Sequence, residues 1–314
     1  MSHKQHDEVW NWNGFSIGWS CLGDVANAPA ILLIHGFGAN INHWRYNQPI
    51  LANAAPTYAI DLLGFGKSDQ PRARLTHEPE KEGFVQYGFD LWGQQVADFC
   101  RQKIKRPVLL VGNSIGGVVA LRTAQKLANE AMCSQCLGVV LIDCAQRLMD
   151  DKQLSSQPAW MRWIRPMLKI LVQQRLLSTA LFNNAAQPAL IRNVLQQAYP
   201  SGRNIDEALV DLLYQPTRRP GAAEAFRGFI NLFDDHLAPD LMKDLKVPVD
   251  LIWGELDPWE PLAEAKRWVD TLSCVRSISV IAGAGHCPHD EAPDDVNPLL
   301  LEHLNNIQTT KQPA

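Results

Sequence analysis

No apolar run in the 314-residue sequence is long enough to cross a membrane, and the chain contains no internal repeat or low-complexity segment. Positive charge is not in excess either, because 29 Lys and Arg against 33 Asp and Glu give a net charge of −4. This balance argues against nucleic acid as the main partner. The polar start of the chain lacks the apolar segment of a secretory signal, and the seven cysteines are scattered. We therefore expect reduced thiols in a cytoplasmic compartment.

Short apolar segments bounded by turn residues recur along the chain. Each is nearly all apolar, as is typical of strands that are buried on both faces of a parallel sheet. Helical patterns separate most of them, so we predict an α/β fold in which a mostly parallel sheet of about eight strands carries helices on both faces. The predicted strands lie at 9–22 (two short strands), 30–34, 57–60, 108–111, 138–142, 249–253 and 277–281.

The alternation of strands and helices stops between residues 146 and 245, where helical segments follow one another and are punctuated by prolines. An all-helical insertion at this place is typical of a lid, since ligands of open α/β sheets bind at the carboxyl ends of the strands. We predict a core formed by residues 1–145 and 246–314, and a helical lid formed by residues 146–245.

Residues 112–116 read Gly-Asn-Ser-Ile-Gly, directly after one predicted strand and before a helical pattern. In that context a Gly-x-Ser-x-Gly pattern is typical of a nucleophile elbow, a strained turn that exposes the serine hydroxyl. The glycines are needed because side chains at their positions would collide with the neighbouring strand and helix. Ser114 is therefore the candidate nucleophile.

A serine hydroxyl is a poor nucleophile unless a base takes its proton and an acid orients that base. Downstream of Ser114, Asp257 follows the strand at 249–253, and His286 follows the strand at 277–281. Both therefore fall at the carboxyl edge of the sheet, as Ser114 does. The order serine, acid, histidine is that of a hydrolase triad.

Each partner of Ser114 has a rival. Asp143 ends the strand at 138–142, where some hydrolases place their acid, and a turn or helix cap is the simpler interpretation. Glu255 lies slightly earlier in the loop of Asp257. For His289 a surface or capping position is the simpler interpretation, and His35 is expected to support its own loop.

The oxyanion that forms during attack needs two backbone donors. We expect one N–H from Ile115, just after the nucleophile, and one from Phe37, in the glycine-rich turn at 35–38. A plain strand-to-helix turn would use the same residues. The loop at 61–69 lacks the spacing of a phosphate-binding loop, so we expect it to brace the floor of the site. The chemistry implies no metal and no cofactor.

Together, the turn at 35–38, the loop at 61–69, the pentapeptide, Asp257 and His286 resemble the α/β-hydrolase superfamily over essentially the whole chain. A narrower resemblance covers residues 253–261 and 285–299. These segments are similar to the plant and cyanobacterial hydrolases that include pheophytinase and chlorophyll dephytylase. That resemblance implies hydrolysis of the phytyl ester of chlorophyll pigments, a triad of Ser114, Asp257 and His286, and a place at the periphery of a thylakoid membrane.

Residues 152–204 contain seven Lys and Arg residues and no Asp or Glu. Between residues 160 and 171, apolar side chains follow helical spacing on one face, and Arg162, Arg165 and Lys169 fall on the other. Pro166 is expected to divide this segment into two helices or to begin the second. Two interpretations stay open. The apolar face lines a substrate tunnel while the basic lid contacts an anionic membrane, or the apolar face packs on the core and the charges are solvated.

From these residues we predict a serine hydrolase that cleaves a carboxylic ester of a bulky hydrophobic substrate through an acyl-enzyme. The resemblance favours the phytyl ester of chlorophyll or pheophytin. A general esterase or lipase, a carbon–carbon bond hydrolase and a ligand-sensing receptor on the same fold remain alternatives. The expected partners are a small hydrophobic ester and an anionic membrane, and not nucleic acid.

Overall fold

The computed structural model describes residues 6–128, 136–148, 150–156 and 159–309. The strands are β1 (His6–Trp12), β2 (Phe15–Leu22), β3 (Ala30–Ile34), β4 (Thr57–Ile60), β5 (Arg72–Ala73), β6 (Phe84–Val85), β7 (Val108–Asn113), β8 (Cys136–Ile142), β9 (Val249–Gly254) and β10 (Val275–Ile281). The α-helices are α1 (Gln48–Leu51), α2 (Phe89–Phe99), α3 (Ile115–Ala128), α4 (Ala159–Gln173), α5 (Arg175–Ala185), α6 (Pro188–Ala198), α7 (Glu207–Tyr214), α8 (Ala222–Ile230), α9 (Ala238–Met242), α10 (Leu262–Thr271), α11 (Pro288–Glu291) and α12 (Pro293–Thr309).

Eight strands form one sheet in the order β1-β2-β4-β3-β7-β8-β9-β10, and β5 pairs separately with β6. Strand β2 is antiparallel to both β1 and β4, and the remaining neighbours in the large sheet are parallel. The predicted α/β fold with a mostly parallel sheet of about eight strands is confirmed. Because β7 to β10 run in one direction, the loops that follow them meet at one edge of the sheet.

Strand β3 shows why the central segments are apolar at every position. Ile31 and Leu33 belong to the core cluster that α12 completes, whereas Leu32 and Ile34 belong to the cluster that α2 and α3 complete. All four side chains are fully buried. Successive strand residues point to opposite faces, and helices cover both faces, so neither face can be polar. Each such side chain contributes roughly 1.5–3 kcal/mol of transfer free energy to folding.

The insertion between β8 and β9 is helical in its described part, with a 3₁₀-helix at Asp151–Ser156 followed by α4 to α9. Pro166 lies inside α4, so the expected division of this segment into two helices is wrong. Proline removes one backbone hydrogen bond, but Pro166 is exposed, and water can hydrate the carbonyl that loses its donor. None of the described helices combines the length and the apolar composition that crossing a bilayer requires.

The two faces of α4 are placed opposite to our expectation. The guanidinium of Arg165, which is 4% exposed, and the ammonium of Lys169 both donate to the carboxylate of Asp151. Trp163 and Met167 instead face solvent, with 87% and 74% exposure. The expected outward basic face and inward apolar face are therefore wrong in the described part of α4. Asp151 comes directly before residues 152–204, which contain no Asp or Glu, and it holds the side chains of Arg165 and Lys169 inward.

The insertion is anchored on the loop that follows β10. Leu195 and Ala198 of α6, Leu209 of α7 and Cys287 form a small buried cluster. The backbone N–H of His286 donates to the carbonyl of Ala198 at 2.8 Å. The insertion thus lies against the carboxyl edge of the sheet. The division of the chain into a core and a lid stays a prediction.

Candidate active site

Ser114 lies in the sharp turn between β7 and α3. Its φ of 55° is in the left-handed region, which costs a non-glycine residue about 1–2 kcal/mol. The backbone N–H of Ser114 donates to the carbonyl of Ile142 at 3.0 Å, which fixes the turn against β8. A Cβ at Gly116 would lie 2.3 Å from the carbonyl oxygen of Ile34, and one at Gly112 would lie 2.2 Å from that of Gly116. Only glycine fits at either position, as a nucleophile elbow requires.

Asp257 and His286 come together at this edge. The Nδ1 atom of His286 lies 2.8 Å from Oδ2 of Asp257, and Oδ1 of Asp257 accepts the N–H groups of Trp259 and Glu260 at 2.8 and 3.1 Å. Burial acts to raise the pKa of Asp257, but these hydrogen bonds and the His286 charge outweigh it and hold that pKa below its usual value. The ionised form of Asp257 is thus favoured, and Nε2 is the ring nitrogen of His286 that Asp257 does not contact.

The side chain of Asn113 and the ring of Trp259 hold His286 in place. The Asn113 amide donates to the carbonyls of Ile142 and His286 at 3.2 and 3.1 Å. Trp259 meets the imidazole edge-on, with 4.8 Å between ring centroids. The residue before the nucleophile therefore joins the elbow directly to the histidine loop.

Asp143, the rival acid, is fully buried beside Asp257. Its Oδ1 accepts the N–H of Gly254 at 2.9 Å, and its Oδ2 is buried with no hydrogen-bond donor among the described residues. Burial and the negative charge of Asp257 raise the pKa of Asp143 well above its usual value. A raised pKa favours the protonated carboxyl, whose O–H can donate to ionised Asp257, and this is neither of the roles weighed from the sequence.

The other rivals lie outside this hydrogen-bonded group. His289 is fully buried against Trp44, with 4.4 Å between ring centroids, so its expected surface position is wrong. Glu255 is exposed and accepts the N–H of Gly283 at 3.0 Å. Nδ1 of His35 lies 2.7 Å from the carbonyl oxygen of its neighbour, and burial lowers its pKa to about 4. The neutral His35 ring thus supports its own loop.

The turn at residues 35–38 packs tightly on the elbow. A Cβ at Gly36 would lie 3.2 Å from the Cβ of Ser114, and Gly38 has a φ of +71°. The ring of Phe37 stacks on Phe229 at 3.9 Å between centroids. Ile115 is the first residue of α3, so its N–H has no intrahelical acceptor. Phe37 lines the same cavity as Ser114, and Ile115 directly follows Ser114 in the chain, so an oxyanion hole formed by their N–H groups stays a prediction.

The loop at residues 61–69 is braced by the carboxylate of Asp61. Its two oxygens accept the N–H groups of Ile41 and Lys67 at 2.8 and 2.7 Å. A Cβ at Gly66 would lie 2.2 Å from the carboxyl carbon of Asp61, so the loop closes around this side chain. The loop is therefore a structural turn. A bound phosphate would need free N–H donors, whereas the carboxylate of Asp61 already accepts the N–H groups of Ile41 and Lys67.

A cavity of about 480 Å³ opens over Ser114 and His286. Both the sheet edge and the insertion line it, mainly with apolar side chains, among them Phe37, Phe65, Phe182, Ile191, Leu195 and Phe226. No Lys or Arg is among the described lining residues. The volume is in the range of sites for small organic ligands, and the wall favours an uncharged, apolar one.

A sequence model of the alpha/beta hydrolase family matches residues 31–299. The chain belongs to this family. Pheophytinase, a chloroplastic protein of Arabidopsis thaliana, is 26% identical over 91% of this chain, which spans 63% of that relative. Epoxide hydrolase 3 of Xenopus tropicalis is 25% identical, with 96% of this chain and 78% of the relative covered. The crystal structure of a serine hydrolase of carbazole degradation superposes with a TM-score of 0.72 at 19% identity, covering 96% of this chain and 99% of the other. The resemblance to the α/β-hydrolase superfamily is confirmed, and the chain is an α/β-hydrolase.

Glu260 is a residue of this hydrolase's cavity that sequence reasoning missed. Its Oε2 accepts the N–H of Gln146 at 2.7 Å, which joins the histidine side of the site to the start of the insertion. Burial, and then the charge of Asp257, raise the pKa of Glu260 to about 8. A carboxyl three residues after Asp257 was visible in the sequence, but its burial depends on the insertion folding over it.

Replacing Glu260 with glutamine should change how stability depends on pH. The folded-state pKa of about 8 exceeds the ordinary glutamate value of 4.5, so the folded protein binds more protons than the unfolded chain between these values. The Glu260 contribution to the free energy of unfolding therefore falls as pH rises, whereas glutamine does not titrate. Urea unfolding of both proteins from about pH 5 to about pH 8 measures this, and the wild-type value should decline relative to the variant. A difference that is constant over this range would contradict the assignment.

Proposed function

We propose that this α/β-hydrolase is a serine hydrolase that cleaves a carboxylic ester of a bulky hydrophobic substrate. The observation that carries the proposal is the 2.8 Å pair of Asp257 and His286 beside the strained Ser114, all at one end of an apolar cavity. A nucleophile, a base and an orienting acid are the groups that acyl transfer requires.

In the proposed mechanism, Ser114 Oγ attacks the ester carbonyl and its proton passes to Nε2 of His286. The N–H groups of Phe37 and Ile115 hold the resulting oxyanion, and Asp257 stabilises the imidazolium. The C–O bond to the alcohol then breaks, and the leaving alkoxide takes the proton from His286. A water molecule gives a proton to His286 and attacks the acyl-enzyme, and the acid leaves as Ser114 recovers its proton.

The favoured substrate is the phytyl ester of a chlorophyll-type pigment. The likeness to pheophytinase supports it, and so does the apolar wall of the cavity. A general esterase or lipase is the second candidate, because the same wall suits any long hydrocarbon chain. A carbon–carbon bond hydrolase is less favoured, since a polar, anionic substrate would find no Lys or Arg among the described lining residues.

Turnover of two sets of esters separates these candidates. Nitrophenyl esters of increasing acyl length test for esterase activity, and chlorophyll and pheophytin, followed by chromatography, test for loss of the phytyl group. Release of phytol supports the pigment ester. Cleavage of long-chain nitrophenyl esters with both pigments intact points to a general esterase. No turnover of any ester would contradict the proposed hydrolase and favour a ligand-sensing role.

A further inference from the structure

Helices α4, α5 and α6 of the insertion expose an unusual amount of apolar surface. Of the 18 large apolar side chains that are exposed in the described part of the chain, 11 lie between residues 163 and 194, on α4, α5 and α6. We call these the outer apolar face. Trp163, Leu176 and Met167 are its most exposed members, at 87%, 86% and 74%. Monomeric soluble proteins rarely concentrate apolar residues in this way without a partner.

The charged residues around this face indicate which kind of partner it binds. Residues 152–204 contain no Asp or Glu, although the chain as a whole has more acidic than basic residues. The basic side chains that the structure pairs use carboxylates from outside this segment, for example Arg175 with Glu224 and Arg192 with Glu207. Docking of a second copy of the chain would not explain why only acidic residues are missing from this segment. A surface of anionic lipid headgroups explains it, because such a surface repels carboxylates and tolerates cations.

The same helices connect the outer apolar face to the cavity. Val194 is half exposed and also lines the cavity, together with Phe182 of α5 and Ile191 of α6. If the substrate is a hydrophobic ester, as proposed above, it can pass from a lipid phase into the cavity along apolar side chains. Transfer through water, which is costly for such a molecule, is then avoided.

We propose that the outer apolar face docks on the surface of an anionic phospholipid bilayer, with α4, α5 and α6 lying in the interface. Docking of this kind is driven by burial of apolar side chains, and the lack of Asp and Glu in residues 152–204 removes carboxylates that the headgroups would repel. It needs no helix that crosses the bilayer. The docking itself does not depend on ester cleavage, and only the substrate route rests on the proposed function.

Cosedimentation of the full chain with phospholipid vesicles tests the proposal. The key variant is Trp163→Ser, Met167→Ser and Leu176→Ser combined, since none of these side chains lines the cavity. The matched control replaces Val9, Ile50 and Val280 with serine. These side chains are also exposed and apolar, but they lie outside the insertion. Vesicles of phosphatidylcholine alone are compared with vesicles that also contain phosphatidylglycerol.

We expect wild type and control to bind the anionic vesicles at least about tenfold more tightly than the insertion variant, also at about 0.15 M salt. Binding to neutral vesicles should be weaker. Equal binding by all three proteins, no binding at low salt, or equal binding to both lipids would overturn the proposal. The proposal would also be overturned if the wild type formed a dimer in sedimentation velocity, the insertion variant did not, and neither protein bound vesicles.

Two further measurements separate docking from catalysis. Turnover of a water-soluble nitrophenyl ester should be the same in the insertion variant as in the wild type, which shows that the site is intact. Vesicle binding by Ser114→Ala should equal that of the wild type. A wild-type protein that binds vesicles but cleaves no ester would contradict the proposed function alone, and a wild-type protein that cleaves esters but binds no vesicles would contradict docking alone.

Discussion

Replacing Ser114 with alanine should lower kcat for a nitrophenyl ester by roughly 10⁴- to 10⁶-fold, with the fold unchanged. The variant lacks the oxygen that forms the acyl-enzyme, and neither His286 nor Asp257 can take its place. The left-handed backbone at residue 114 is as unfavourable for alanine as for serine, so the elbow should persist. The measurements are steady-state turnover and thermal unfolding of the purified variant.

Ser273→Ala is the matched control for this variant. Ser273 is exposed on the loop before β10 and does not line the cavity, so its loss should leave turnover unchanged. Near-normal turnover by Ser114→Ala would mean that another group is the nucleophile. Equal loss in both variants would point to a general effect of handling or folding.

The structure agrees with the sequence where local chemistry decides the outcome. Residues 108–111 of the strand before Ser114 are apolar at each position because helices cover both faces of the sheet. The elbow is recognisable because only glycine fits at residues 112 and 116. Asp257 and His286 were found from their places after strands, since neighbouring parallel strands deliver their following loops to one edge. These inferences need no knowledge of distant contacts.

The sequence could not predict features that depend on one distant partner. An amphipathic pattern shows that α4 has two faces but not which of them is buried, and the single carboxylate of Asp151 decides this by binding Arg165 and Lys169. The pairing of Asp143 with Asp257 likewise depends on β8 lying beside β9. Neither contact leaves a periodic signal, because each joins residues through the fold rather than along one element.

Replacing Asp257 with asparagine should lower kcat roughly 10,000-fold, the loss seen when the orienting acid of a serine triad is exchanged for its amide. The carboxylate accepts the Nδ1–H of His286 and so leaves Nε2 free to accept the Ser114 proton. An amide nitrogen turned towards Nδ1 would donate instead and favour the other tautomer, which cannot act as base. The protein should stay folded, because the amide is isosteric and its oxygen can accept the N–H groups of Trp259 and Glu260.

Asp143→Asn is the matched control, since it makes the same chemical change in the neighbouring carboxyl. Oδ1 of Asp143 accepts the N–H of Gly254, and an amide oxygen can accept the same bond while the amide nitrogen can donate to Asp257 as a protonated carboxyl can. Its kcat should therefore stay within about threefold of the wild type, because no hydrogen bond is lost. If Asp143 were instead the ionised orienting acid, the two variants would exchange their effects. The pair of kcat values thus decides which carboxyl carries the charge that the His286 cation needs.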